Sequence, residues 1–524
     1  MLDSVLFHTD PLDDVLSFWI TIGSPALAAY SLQITHLNKR WITTAFSDVK
    51  YPNSKHISTV LSAFQHVPIR VSHHPPLLHS LIILPKNDDF WYYLAMAVEK
   101  TPRWSIPLII NFVLVILSVI LTVLDSYIQG PSSSGPGMVA TWVFLLPLII
   151  GWLRVGCEPE PNHLRNSLDA ASLGAWVATG QGDQPVGDTL AMEFVEDEDV
   201  DFARKDELKT GPLFNYSRAF TSAVAAELTL ELMRNAAANA ERRIPVGTSR
   251  DGVAGVWVES EGDAISDENR TGTDSEVTEY CTRVLPRRKS NPAPTALLDI
   301  EPSETSIIPD PSNSTSAAQY SEVLDTLYPP LPLYNPHLVI HNPSIWATGI
   351  RKRVALAAIL ALGLQWGTSG VAVVINYSAP PYGLGCRALS HLLYCMTATT
   401  SFLLFLASSI LAHMSRPHKR QNSSRSPRLH ACINMGAIVC RRLGKLVAIV
   451  SAAGTLVACF LEITGAFDNC FCRSTTFDKG RDFVSYAAKT TSSFARVWIT
   501  GMVMAFSTAF LFGLSIYLST PLRR

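Results

Sequence analysis

Charge is scarce in this chain. Only 16% of its 524 residues are Asp, Glu, Lys or Arg, whereas 48% are hydrophobic; a soluble domain carries about 25% charged residues. That shortage excludes the row of three or four soluble domains that the length alone suggests. Cysteine is sparse too: nine residues with no CxxC pair and no Cys/His spacing of a zinc site, which excludes a zinc module and a disulfide-rich scaffold. The first 14 residues hold Asp3, Asp10, Asp13 and Asp14 and no Lys or Arg, the reverse of a cleavable leader's charged start. Catalytic signatures are missing as well. There is no GxGxxG after a strand, no GxxxxGK[ST], no GxSxG and no HExxH, so neither an enzyme nor a cofactor nor a metal is expected, and no nucleic-acid partner.

What is present is long apolar runs. About 20 such residues cross the hydrocarbon layer of a bilayer, and residues 105–128, 354–376, 388–412, 446–466 and 497–519 each qualify. Residues 137–153 are short but follow the first of these after a GPSSSGP turn, which predicts a helical hairpin. Residues 15–34 contain Pro25 and several hydroxyls, which a spanning helix tolerates where neighbours satisfy the freed carbonyl; the alternative is a buried amphipathic helix. The expectation is an all-α, polytopic membrane helix bundle of about seven spans, a multi-pass protein of the plasma membrane or an endomembrane.

Charge is unevenly placed. The net charge is −2, yet residues 156–345 hold 31 acidic and 14 basic side chains. Loop 413–445 carries Arg416, Lys419, Arg420, Arg425, Arg428, Arg441, Arg442 and Lys445 and no acidic residue, so it is expected in the cytoplasm. Lys39 and Arg40, Arg154, and Arg351 to Arg353 fall on the same side if there are seven spans and the N-terminus is outside. The division that follows is an outer N-terminus with a first span (1–34), a cytoplasmic loop (35–104), a helical hairpin (105–155), an acidic, mostly disordered cytoplasmic loop (156–345) and a four-span region (346–524). Within the acidic loop, Phe220, Val224, Leu228 and Leu232 predict a helix with one packing face, and 246–335 has the composition of a disordered segment. Residues 90–99 (FWYYLAMAVE) predict an interfacial helix.

Ionisable and polar groups inside spans are the candidates for function. Asp125, Arg387, His391 and Glu462 fall at the outer-leaflet level, with Gln365 at mid-span; together they make a candidate polar cluster for a cation or proton. Cys386, Cys470 and Cys472 lie on the outer side, where disulfides persist, so Cys386 is expected to bond Cys470 or Cys472. Gly363 and Gly367 have GxxxG spacing, which serves internal packing or a homo-oligomer. The eight basic residues of 413–445 are a candidate site for anionic lipid.

The stretch 342–394, with LALGLQWGT and PPYGLGCR, and the run Asn469, Cys470, Phe471, Cys472 resemble a group of uncharacterised fungal multi-span integral membrane proteins with a PPxGLGCR…NCxC C-terminal region. The resemblance covers the C-terminal third and little of the acidic loop. It implies a shared topology and a fungal source, and it supplies no catalytic residue. Three classes of function stay open: a membrane scaffold that recruits partners, a transporter or channel using the polar cluster, and a seven-span receptor.

Overall fold

The computed structural model describes residues 11–99 and 161–257 with short gaps, together with 135–155, 346–378, 383–415, 427–468, Cys472 and 491–519, and of residues 100–134 only four positions. Asp125 and Cys470 fall outside the described residues, as do Arg416, Lys419, Arg420 and Arg425, most of 105–128, and 258–345.

In chain order the elements begin with helices α1 (Pro11–Gly23), α2 (Pro25–Ser47) and α3 (Ser54–Ala63), strand β1 (Ile69–Val71), and helices α4 (Pro75–Ile83) and α5 (Asp88–Glu99). Then come α6 (Gly135–Trp142), α7 (Leu145–Val155), α8 (Pro161–Leu173), strands β2 (Ala175–Thr179), β3 (Gly182–Val186) and β4 (Met192–Phe194), and 3₁₀ turns at Phe202–Glu207 and Pro212–Phe214. Helix α9 (Asn215–Glu241) and strands β5 (Val246–Thr248) and β6 (Ala254–Trp257) precede α10 (Ile350–Gln365), a π-helical turn (Trp366–Gly370), α11 (Val371–Ser378), α12 (Cys386–Met414), α13 (Pro427–Ile463) and α14 (Thr491–Ser519).

Among the described residues four helical stretches are long and apolar enough to cross a membrane: Ile350–Ser378, Cys386–Met414, Arg428–Ile463 and Arg496–Leu518. Helices α1 and α2 add a fifth if their bent pair is one span. Helix α2 is the axis of this bundle. Every residue from Pro25 to His36 is buried, the polar Ser31, Gln33, Thr35 and His36 included. Around it α6, α7, α10, α12 and α14 close one core, with Leu27, Leu32, Phe144, Leu364, Phe402, Phe405 and Phe512 inside.

A second core lies at one end of the bundle, the layer end. The end of α2 (Ile42, Phe46) packs with Ile57 and Leu61 of α3, Leu78 and Leu81 of α4, Trp91 and Leu94 of α5, Leu164 and Leu168 of α8, and Leu228 and Leu232 of α9. Polar groups fix the turns: Trp91 Nε1 donates to Leu81 O at 2.8 Å, and Asn87 Nδ2 donates to Trp176 O at 2.8 Å. The two cores share α2 and α9, whose first turns contribute Tyr216, Ala219 and Phe220 to the bundle.

Several expectations need correction. Within the acidic loop the expected helix is present as α9, and α8 is folded as well, because both have apolar faces that the 35–104 segment covers; three two-stranded antiparallel sheets accompany the helices, so the described residues are mainly rather than purely helical. The 90–99 helix turns Phe90, Trp91 and Leu94 into the layer core and leaves Tyr93 and Met96 exposed on its other face. Loop 413–445 is a loop only in part, since α13 runs unbroken from Pro427 through the span. The 137–153 run is two helices, α6 and α7. The 15–34 run is broken at Ser24, where α1 and α2 meet at 103°. Proline at the first position of α2 has no N–H for the carbonyl of Thr21, which favours ending one helix and starting the next at this point.

Candidate functional site

Helices α12 and α13 pair antiparallel, and three hydroxyls set their register. Thr397 Oγ1 donates to Ser451 Oγ at 2.9 Å, Ser401 Oγ to Gly444 O at 2.9 Å and Ser408 Oγ to Ala437 O at 2.8 Å. This ladder gives depth along the bundle, at about 1.5 Å per residue.

At the end opposite the layer, Cys386 is bonded to Cys472 with Cα atoms 4.8 Å apart, tying the start of α12 to the segment after α13. Gly383 has φ +122°, a conformation that suits glycine, and its N–H donates to Tyr377 O at 3.0 Å; this folds the chain back between α11 and α12. Arg387 Nε lies 3.9 Å from Glu462 Oε1, whose side chain is 1% exposed. One turn deeper, His391 Nδ1 lies 2.9 Å from Arg387 O and 3.3 Å from Asn376 Nδ2. The carbonyl can only accept and the amide nitrogen can only donate, so Nδ1 serves one of these two contacts at a time, according to its tautomer. Arg387, His391 and Glu462 are therefore brought together, and Asn376 joins them. Its amide had no signal in the sequence beyond being polar in an apolar run.

Gln365 does not belong to this group. Its Nε2 donates to Cys395 O at 3.0 Å and Thr399 Oγ1 at 2.8 Å, so it meets α12 about 12–18 Å deeper than Arg387. Gly363 and Gly367 part company as well. A Cβ on Gly367 would meet the Thr508 side chain of α14, so this glycine packs inside the chain, whereas a Cβ on Gly363 would meet nothing within 4 Å.

A second polar cluster sits about 21 Å inward from Arg387, level with Ser401. Lys445 Nζ donates to Asp206 Oδ1 at 2.6 Å, Tyr216 Oη donates to Asp206 Oδ2 at 2.6 Å, and Arg441 Nε lies 3.9 Å from Asp206. Asp206 and Arg441 are buried, so Arg441 and Lys445 are not a free lipid-binding face; the acidic segment has claimed both. Burial pushes the Tyr216 phenol well above its usual range, and the adjoining Asp206 charge pushes it further. Buried Arg218, one half-turn along α9, donates to Asn215 Oδ1 at 2.7 Å, to Gln65 O and Glu207 O at 3.3 Å, and to Lys209 O. It thereby stitches α3's exit, the 3₁₀ turn and α9 together. Ser409 Oγ donates to Tyr216 O at 3.0 Å and Ser31 Oγ to Leu213 O at 2.6 Å, so residues 202–218 reach up between the bundle helices. The sequence offered the acidic run as a whole and did not single out Asp206.

Among the described residues no group of His, Cys, Asp and Glu could hold a metal ion. No protein-family model, no curated protein and no solved structure matches the chain.

Proposed function

We propose that the chain is a membrane scaffold of about seven spans, with its N-terminus outside, that holds a folded layer against the cytoplasmic face and recruits partners there. One observation carries this reading: helices α2 and α9 run from the bundle core into the layer core, and the layer is fastened to the bundle by Asp206 on Lys445 and Arg441. A scaffold needs that rigid connection between bilayer and cytoplasm. At the disulfide end of the bundle, by contrast, the ionisable groups are engaged within the bundle: Glu462 with Arg387, and His391 with Arg387 O or Asn376 Nδ2. A transporter or channel is the second reading, favoured by the α1–α2 break and the π turn after Gln365, since interrupted helices at mid-depth are where transporters place their sites.

Purified protein in vesicles separates the two. The scaffold reading expects no ion or solute flux above empty vesicles under an imposed gradient. It also expects that removing residues 258–345 from the chain in cells abolishes capture of a defined partner set while the bundle stays folded. Sustained, saturable flux contradicts it.

A further inference from the structure

The α1–α2 break lies in the core of the bundle. Ser24 Oγ donates to Ala398 O at 3.3 Å and Tyr394 Oη donates to Ile22 O at 2.7 Å, so the break meets α12 about ten residues below Arg387. There α1 ends in carbonyls that the next helix does not cover. Pro25 has no N–H for Thr21 O, and Leu27 N donates to Ser24 O at 3.0 Å rather than continuing α1. The carbonyl end of a helix carries a partial negative charge.

Two further buried oxygens belong to side chains that meet the same two turns of α12. Tyr30 is fully buried with its ring 5.6 Å from Phe402, and its hydroxyl has no hydrogen-bond partner among the described residues. Gln365 is fully buried too. Its Nε2 is committed to Cys395 O and Thr399 Oγ1, which turns Oε1 away from α12, and that oxygen likewise has no partner among the described residues. On α12 the contact points of Ile22, Ser24, Tyr30 and Gln365 are Tyr394, Ala398, Phe402 and Cys395 with Thr399. At about 100° per residue these form one continuous face within roughly two turns. Tyr30 meets α12 one turn beyond Ser24, and side chains on α2 lean toward its N-terminus, which is the break. The π turn Trp366–Gly370 follows Gln365 directly, a second irregularity at this depth.

We propose that this locus binds one monovalent metal cation, held by neutral oxygens: the carbonyls that end α1, Ser24 Oγ, Tyr30 Oη and Gln365 Oε1. Neutral oxygen ligands suit a single positive charge; divalent ions are held through carboxylates. An occupant accounts for three features together. It supplies a partner to the Gln365 oxygen, it gives the Tyr30 oxygen a role in a dry core, and it offsets the carbonyl end of α1. The site is distinct from the Arg387–Glu462 group and does not depend on the scaffold reading, because a bound cation that only braces the break moves nothing across a membrane.

The test is thermal unfolding of the full chain in detergent, with Na+ or K+ titrated at constant ionic strength against N-methylglucamine, which is too large for the site. The expected result is a saturable rise in Tm of several degrees with Na+ or K+ and none with N-methylglucamine. Tyr30→Phe, which removes one oxygen and little volume, raises the half-saturating concentration at least tenfold. Gln365→Leu removes the saturable response, and Gly363→Ala, in open space, leaves it intact. Identical Tm values in all three cations mean that the buried oxygens are satisfied by water alone and overturn the proposal. A response unchanged by both Tyr30→Phe and Gln365→Leu overturns it equally.

Discussion

Asp206 does the most with a single side chain. Its two oxygens take Lys445 and Tyr216, and Arg441 stands behind, so one carboxylate joins the 3₁₀ turn, α9 and α13. Lys445 is 21% exposed and Asp206 3%, which makes this a desolvated pair rather than a surface one. Removing one partner leaves buried charge behind, at a cost of about 3 kcal/mol. Asp206→Ala is therefore expected to raise amide exchange across residues 202–220 before the spans open, read by hydrogen exchange mass spectrometry; unchanged protection there would mean that the clamp bears no load. Tyr216 adds a pH signature. Its phenol is held protonated well above the usual pKa of about 10. The folded state therefore keeps a proton that the unfolded state releases, and stability present below about pH 10 is lost as pH rises beyond it. Tyr216→Phe is expected to flatten the alkaline limb of the Tm–pH curve while lowering Tm near neutrality, since the bond to a carboxylate contributes about 2 kcal/mol.

At the scale of elements, close backbone approach decides the geometry. Gly23 ends α1 against α13, where an added Cβ would fall 1.8 Å from Ala448 O. No rotamer relieves a clash with backbone, so Gly23→Ala is expected to lower Tm by several degrees or to prevent folding, while Gly454→Ala, with nothing within 4 Å, stays within about 0.5 kcal/mol of the parent. Equal Tm values for the two variants would remove the break from its place against α13. The sequence announced Pro25 as an irregularity, and four long apolar runs announced their helices, because length and hydropathy are local properties. It did not announce the bend of 103°, which depends on where Ser24 and Ile22 find partners on α12. Nor did it separate Arg441 and Lys445 from the other basic residues. All eight look alike until the fold brings a buried carboxylate from more than 230 residues away to two of them.

At the scale of the molecule, one helix passes from bundle to layer and makes them a unit. Helix α2 gives Leu27 and Leu32 to the first core and Ile42 and Phe46 to the second. The Cys386–Cys472 bond marks the opposite end, so the molecule has two chemically distinct poles. A disulfide persists in an oxidising compartment, and a surplus of Lys and Arg beside spans marks the cytoplasm. The proposed orientation, with layer and basic residues inside and the disulfide outside, accords with both poles. Charge alone suggested that orientation, because the acidic and basic segments differ so strongly in composition; the two cores joined through α2 and α9 were not visible, since each gathers segments far apart in the chain. The most direct measurement is glycosylation mapping of the full chain in membranes. An acceptor inserted after Ser485, beyond the disulfide, is expected to be modified, and one inserted after Ser424, between α12 and α13, is expected to remain bare. The reverse pattern would place the layer outside and contradict the account.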